Sequence, residues 1–264
     1  MIRIICEAEC NYTMQCIWSS ASQCLKLFKG IQHTNKMVNL TFDENGLHIM
    51  TMDTPKLSLV KLHVEPGDFE EYRCTMTMTL GVYTEGLTNI LQKAKKNKLI
   101  WSSSNDTELR IAFVQDDQKT EFTMRTIDIE EDLLDVPELQ DDVALRIPRE
   151  VLQQWLDTML MSKDDVRFMV QNNQITLESK SVELGTISHS EPIPSDRVQW
   201  GQFRNAVDMS LSSYACKSLA MFAAMGGDNC FLGLSNEQPS RIKVGMGDDS
   251  YVSLYVAPKI SEDD

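Results

Sequence analysis

Asp128-Ile129-Glu130-Glu131-Asp132-Leu133-Leu134-Asp135-Val136-Pro137-Glu138 lies near the midpoint of a 264-residue chain and is unlike the sequence on either side of it. It interleaves carboxylates with aliphatic residues and ends in acid-flanked proline, so it reads as a linker between two units. The same pattern runs before and after it. Before it, Leu25, Phe28 and Ile31 recur along one face of a helix over 20–31, and Leu87, Ile90, Leu91 and Ala94 along one over 84–96. After it, a helix starts at Pro148 with Leu152, Trp155, Leu156 and Met159 inward. Another spans 211–224 with Tyr214, Ala215, Ser218, Leu219 and Phe222 inward. Alternating strand patterns follow every helix, among them 38–42, 57–64, 109–114, 166–170, 182–189 and 251–256. The chain is therefore predicted to be two versions of one α+β unit, 1–127 and 139–264, joined by a connector at 128–138. Short helices cover one face of antiparallel sheets in such a unit.

Composition narrows the function. The net charge of −14 excludes a protein whose whole surface binds nucleic acid and leaves room for a basic stripe on an acidic body. No apolar run reaches the length of a membrane span, and the first residues turn polar too soon for a signal peptide, so an intracellular protein is expected. Seven cysteines, an odd number scattered through strand and helix patterns, read as free thiols rather than a disulfide framework or a zinc site.

Nothing in the sequence reads as a catalytic centre, a metal site or a cofactor site. His33, His48, His63 and His189 are scattered, with no ligand spacing. Gly245-Met246-Gly247-Asp248-Asp249 lacks the helix and lysine of a phosphate loop and reads as a hairpin turn. The Asp-Asp pairs at 116–117, 141–142, 164–165 and 248–249 fall at predicted turns. Repetition without a chemical cluster points to a device that holds something.

Four ordered segments carry a resemblance. Met52-Asp53-Thr54-Pro55-Lys56-Leu57-Ser58-Leu59-Val60 resembles an early strand of the proliferating cell nuclear antigen family, the eukaryotic and viral DNA sliding clamps. Phe69-x-x-Tyr72-Arg73-Cys74, with Leu80-Gly81-Val82 and the helix ending Ile90-Leu91, resembles the next segment. The midpoint linker is similar to the family's interdomain connector. Tyr255-Val256-Ala257-Pro258-Lys259-Ile260 with its acidic tail is similar to the family's C-terminus. Together they span essentially the whole chain.

The resemblance implies a DNA clamp fold: a homotrimeric ring with antiparallel sheets outside and short helices lining a central hole. Double-stranded DNA threads the hole without sequence reading, and the ring tethers DNA polymerase, clamp loader and other proteins with short hydrophobic peptides. It implies no activity of its own, no cofactor, no membrane, and a location in the nucleus or at a site of viral DNA replication. It aims Lys26, Lys29, Lys93, Lys95, Lys96 and Lys217 at the DNA; by themselves such lysines are ordinary solvated helix faces. It assigns the partner pocket to Met52, Leu59, Leu134, Val136, Pro137, Pro239, Tyr255, Val256, Ala257 and Pro258, with the backbone of 257–260 offered to a bound peptide. It assigns subunit pairing to 108–115 and 182–188.

Departures are visible too. The third helix offers Gln153, Gln154 and Asp157 where the family shows arginines; Arg149 and Arg204 are left as possible replacements. Lys56 stands in place of a pocket histidine, and 75–79 diverges from the family's charged pattern. Two alternatives therefore stay open: a clamp-fold processivity factor that does not close into a trimer, and an interaction scaffold that no longer loads on DNA.

Overall fold

Ser20 starts the first helix, its hydroxyl accepting the Gln23 amide at 3.2 Å, which satisfies one of the amides a helix start leaves without a partner. The computed structural model describes residues 12–94, 97–115, 118–130, 139–247 and 249–259. Up to the connector the chain runs β1 (Met14–Trp18), α1 (Ala21–Thr34), β2 (Met37–Asp43), β3 (Gly46–Met52), β4 (Ser58–Val64), β5 (Phe69–Cys74), β6 (Met78–Tyr83), α2 (Thr84–Ala94), β7 (Lys98–Ser103), β8 (Glu108–Gln115) and β9 (Gln118–Arg125). After it come β10 (Val143–Pro148), α3 (Arg149–Met159), β11 (Val166–Gln171), β12 (Gln174–Ser181), β13 (Gly185–Pro192), β14 (Gln199–Phe203), β15 (Val207–Leu211), α4 (Ser213–Ala223), β16 (Asn229–Leu234), β17 (Ser240–Gly245) and β18 (Tyr251–Val256).

The strands form three antiparallel sheets. Nine lie in the order β14-β10-β16-β17-β18-β4-β3-β2-β6, five in the order β5-β1-β7-β8-β9, and four in the order β13-β12-β11-β15. The nine-stranded sheet crosses from one half to the other where β18 pairs with β4, Tyr251 opposite His63 and Val256 opposite Ser58. The sheet faces under the helices are mostly apolar, with buried serines such as Ser179 and Ser240 among them, and one continuous core runs through both halves. Buried positions correspond between them: Val38, Leu40 and Phe42 of β2 with Val166, Phe168 and Val170 of β11, and Leu99 and Trp101 of β7 with Cys230 and Leu232 of β16.

The fold corrects two expectations. Residues 108–115 are not an edge: β8 is paired on both sides, with β7 and β9, so the free edge of that sheet is β9. The fourth helix begins at Ser213, because Leu211 is still paired with Val166 and the Ser212 hydroxyl accepts the Ala215 amide. Gly81 explains how the connector begins. A Cβ there would meet the Ile127 carbonyl at 2.1 Å, so only glycine lets the chain lie down on β6. Ile127 and Ile129 are half-buried while Asp128 and Glu130 are exposed, and the Asn39 side chain donates to the Ile129 carbonyl at 3.0 Å.

Candidate functional site

The helices form one layer: α1 packs against α2 and α4, and α3 against α4. Each buries its apolar stripe in the core and leaves its polar face outward. Lys26 and Lys29 of α1, Lys93 of α2 and Lys217 of α4 are all exposed on this layer. Lys95 and Lys96 lie outside the described residues. On α3 the exposed positions are Glu150, Gln154, Asp157 and Thr158.

Arg149 and Arg204 are each held by a local hydrogen bond. The Arg149 guanidinium donates to the Gly226 carbonyl at 3.2 Å, closing the turn after α4, and Arg204 donates to the Gln140 side chain at 2.8 Å beyond β14. Sequence reasoning missed Lys163, which follows α3 in a left-handed conformation (φ 61°) and lines a groove with Lys217, Asp157, His33 and Tyr214. Only the end of the helix pattern marked that position. His33 stacks on Tyr214 with ring centroids 4.9 Å apart, joining α1 to α4. Burial, and then Lys217, push the His33 pKa below its ordinary value, so at neutral pH it adds no charge to the layer.

The opposite, outer face of the nine-stranded sheet holds the expected pocket residues in cross-strand rows. Met52 of β3 is opposite Leu59 of β4, and Leu59 is opposite Tyr255 of β18. Met52 and Tyr255 are half-buried, and Leu59 is largely covered. Asp53 builds the loop beside them: its carboxylate accepts the amides of Leu57 at 2.7 Å and Ser58 at 2.9 Å. That loop leaves Leu57 exposed and puts Lys56 in the left-handed region at φ 59°. Leu57 and Ile129 are apolar neighbours of this face outside the expected pocket residues. Met52, Leu59, Ile129, Lys56 and Lys61 line one cavity of about 640 Å³.

Val256 is not on that face. It alternates with Tyr255, points into the core and is 1% exposed. Pro239, Ala257 and Pro258 are half-buried. The amides of Ala257 and Lys259 are already used within the subunit, donating to the Leu57 and Ser210 carbonyls at 2.8 and 2.9 Å. Leu134, Val136 and Pro137 lie outside the described residues.

The acidic pairs at 141–142 and 164–165 do not converge; Asp116, Asp117 and Asp248 lie outside the described residues. Asp141 pairs with Arg241 at 2.6 Å, Asp142 accepts from Asn205 at 2.7 Å, and Asp165 meets Lys259 on another surface. Among the described residues no group of three or more His, Cys, Asp or Glu side chains is placed to hold a metal ion. Burial pushes the thiols of Cys216 and Cys230 up to about 12 and raises Cys16 and Cys24 as well, so none is a ready nucleophile. Among the described residues no helix is long and apolar enough to cross a membrane.

A helix-lined charged layer backed by sheets, with a cavity of mixed apolar and polar lining on the far face, defines a clamp-type scaffold. The family model for the proliferating cell nuclear antigen N-terminal domain matches residues 14–137. Proliferating cell nuclear antigen 1 of Plasmodium falciparum is 26% identical, covering 93% of this chain and 96% of that protein. The probable DNA polymerase sliding clamp 2 of Paramecium bursaria Chlorella virus 1 is 25% identical over 98% and 97% of the two chains. The crystal structure of proliferating cellular nuclear antigen from Entamoeba histolytica superposes with a TM-score of 0.85 at 21% identity, covering 94% of this chain and all of that one. Residues 14–137 thus match the proliferating cell nuclear antigen N-terminal domain, and the chain as a whole is similar to proliferating cell nuclear antigens and DNA polymerase sliding clamps.

Proposed function

We propose that three copies of this chain close head to tail into a ring that encircles duplex DNA and holds polymerase, clamp loader and other partner proteins on it. One observation carries the reading: the two open edges repeat the seam inside the subunit. In the nine-stranded sheet, five strands of the second half end at β18 and join four of the first half beginning at β4. Left over are five strands of the first half ending at β9 and four of the second ending at β13. By strand order and buried positions, β9 is the counterpart of β18 and β13 the counterpart of β4. Pairing them between copies makes a second nine-stranded sheet of the same kind and removes both open edges.

Carrying over the β18–β4 register puts Phe122 of one copy opposite Ile187 of the next, and Glu121 opposite Ser188. Both apolar residues are half-buried in the single chain and would be covered by the pairing. The helices of successive copies then continue one layer around the hole. Phosphate attraction from Lys26, Lys29, Lys93 and Lys217 holds the duplex without reading it. Partner proteins dock with short hydrophobic segments on Met52, Leu59 and Tyr255, beside the connector. The ring works by holding rather than by catalysis, wherever DNA is replicated, in the nucleus or at a site of viral replication.

The test is topological. The ring should thread onto linear duplex through a free end, stay when both ends are then blocked, and leave when a block is removed. Glu121→Cys with Ser188→Cys should give covalent trimers under oxidation, and light scattering of the parent should return three times 30.0 kDa. A 30.0 kDa particle that leaves blocked and open DNA equally fast would overturn the reading.

A further inference from the structure

The outer face has a second end. Two residues along the strands from the middle row of Met50, Lys61 and Ser253, the cross-strand row becomes His48, His63 and Tyr251. His48 and His63 sit directly opposite each other, rings stacked at 4.5 Å, with their Nδ1 atoms 3.1 Å apart. The other nitrogen of each ring is committed to a carboxylate. His48 Nε2 donates to Asp43 Oδ1 at 3.1 Å, and His63 Nε2 donates to Glu65 Oε1 at 2.7 Å.

The supports of these carboxylates are themselves fixed. Asp43 Oδ1 also accepts the Asn45 amide at 2.7 Å. The Tyr72 hydroxyl bridges the Asp43 and Gly46 carbonyls at 2.6 and 2.8 Å, and the Glu65 amide donates to the Ser250 hydroxyl at 2.8 Å. Ionised carboxylates only accept, so both Nε2 atoms carry hydrogen. That leaves the two Nδ1 atoms, 3.1 Å apart, as the nitrogens with lone pairs to offer.

We propose that this imidazole pair is a binding site for one divalent first-row transition ion of the zinc and nickel class, ligated by both Nδ1 atoms. Two nitrogens each about 2.0–2.1 Å from one ion lie about 3 Å apart when they hold neighbouring positions around it. A carboxylate behind each imidazole fixes the tautomer that ligates and strengthens the ring as a donor. Asp43 and Glu65 also offset the charge of the ion against Lys56 and Lys61, which line the same cavity. Imidazole selects zinc, nickel and copper over magnesium and calcium. With two protein ligands the site is open: its other positions face the cavity shared with Met52 and Leu59, for water or for an oxygen of a docked segment. The assignment stands on the imidazole geometry alone and does not require ring closure.

Titration calorimetry of the full chain, first stripped with chelator, tests it with nickel or zinc chloride in a non-coordinating buffer. One ion per subunit is expected, with magnesium silent. His48→Gln and His63→Gln should each weaken binding at least tenfold. Asp43→Asn, which keeps both rings, should weaken it several-fold. Copper loaded onto the parent chain should show two equivalent imidazole nitrogens by electron paramagnetic resonance, a readout that holds even if a variant folds poorly. Absence of binding, affinity unchanged in both glutamine variants, or a copper spectrum with fewer than two imidazole nitrogens overturns the site.

Discussion

Lys26 and Lys29 on α1 have Gln154 and Asp157 as their counterparts on α3, whereas the residues beneath them match one for one. Cys24, Leu27, Phe28 and Ile31 are buried on α1 where Leu152, Trp155, Leu156 and Met159 are buried on α3. Packing explains the contrast. A buried position must stay apolar against the sheet, because an unpaired polar or charged side chain there costs stability. An exposed position on the same helix contacts water and is free to change sign. The helix layer is consequently uneven: α1 has two lysines and no carboxylate, while α3 has one arginine, already tied to the turn after α4, against two carboxylates. In the assembled ring the N-terminal half of each subunit should dominate the hold on DNA.

The largest effect should come from breaking the buried side of the comparison. Trp101 packs on Trp18 and Phe28, with ring centroids 5.2 and 5.5 Å away, where the second half has Leu232, paired with Leu145 and Ile242. Trp101→Ala should lower unfolding free energy by about 3–5 kcal/mol. Trp101→Leu, which copies the second half, should recover part of that in urea titrations. If alanine and leucine are equally damaging, the two halves are not interchangeable in packing.

The exposed side should respond in charge and not in stability. Lys26→Ala with Lys29→Ala should flatten the salt dependence of DNA retention, by about 0.9 in the log–log slope for each phosphate that is no longer neutralised. Gln154→Lys with Asp157→Lys should steepen it, because it gives α3 the face of α1. Equal slopes in all three proteins would show that these faces do not meet DNA.

The smallest effect concerns acid. The Asn205 side chain first, with the Asn236 amide and Ser235 hydroxyl, holds the Asp142 carboxyl below its ordinary value. Its folded pKa is depressed, so its contribution is present above the unfolded value of about 3.9 and is lost as pH falls through the folded one. The matching place in the first half is Thr13, whose hydroxyl donates to the Ser104 carbonyl at 3.1 Å and does not titrate there. Below about pH 4 amide exchange should therefore rise at the start of β10 before the start of β1. Asp142→Asn should remove the difference.

The four helices were legible because each buries one stripe at helical spacing; most of the expected connector, 131–138, lies outside the described residues. Strands β1, β5, β6, β14 and β15 were not read: β14, for example, is a short edge strand broken by Gly201, and β15 is separated from the α4 pattern by a single residue. The edge assignment failed for a related reason. Periodicity tells which face of a strand is buried but not which strands flank it, so β8 and β9 could not be ranked as interior and edge. On the outer face Met52, Leu59 and Tyr255 were found through resemblance, while Val256 was misplaced because a run of neighbours was carried over without the two-residue alternation. His48 and His63 looked scattered, fifteen positions apart, until the β3–β4 register set them opposite each other.

By itself the sequence determined the local elements, the two-fold repetition and the contrast between lysine-bearing and neutral helices. Each of these is written in spacing along the chain. Tertiary structure alone decided which strands are edges, which cations are tied down within the fold, and which distant side chains meet on one face, because these depend on strand register and on contacts between residues far apart in the chain.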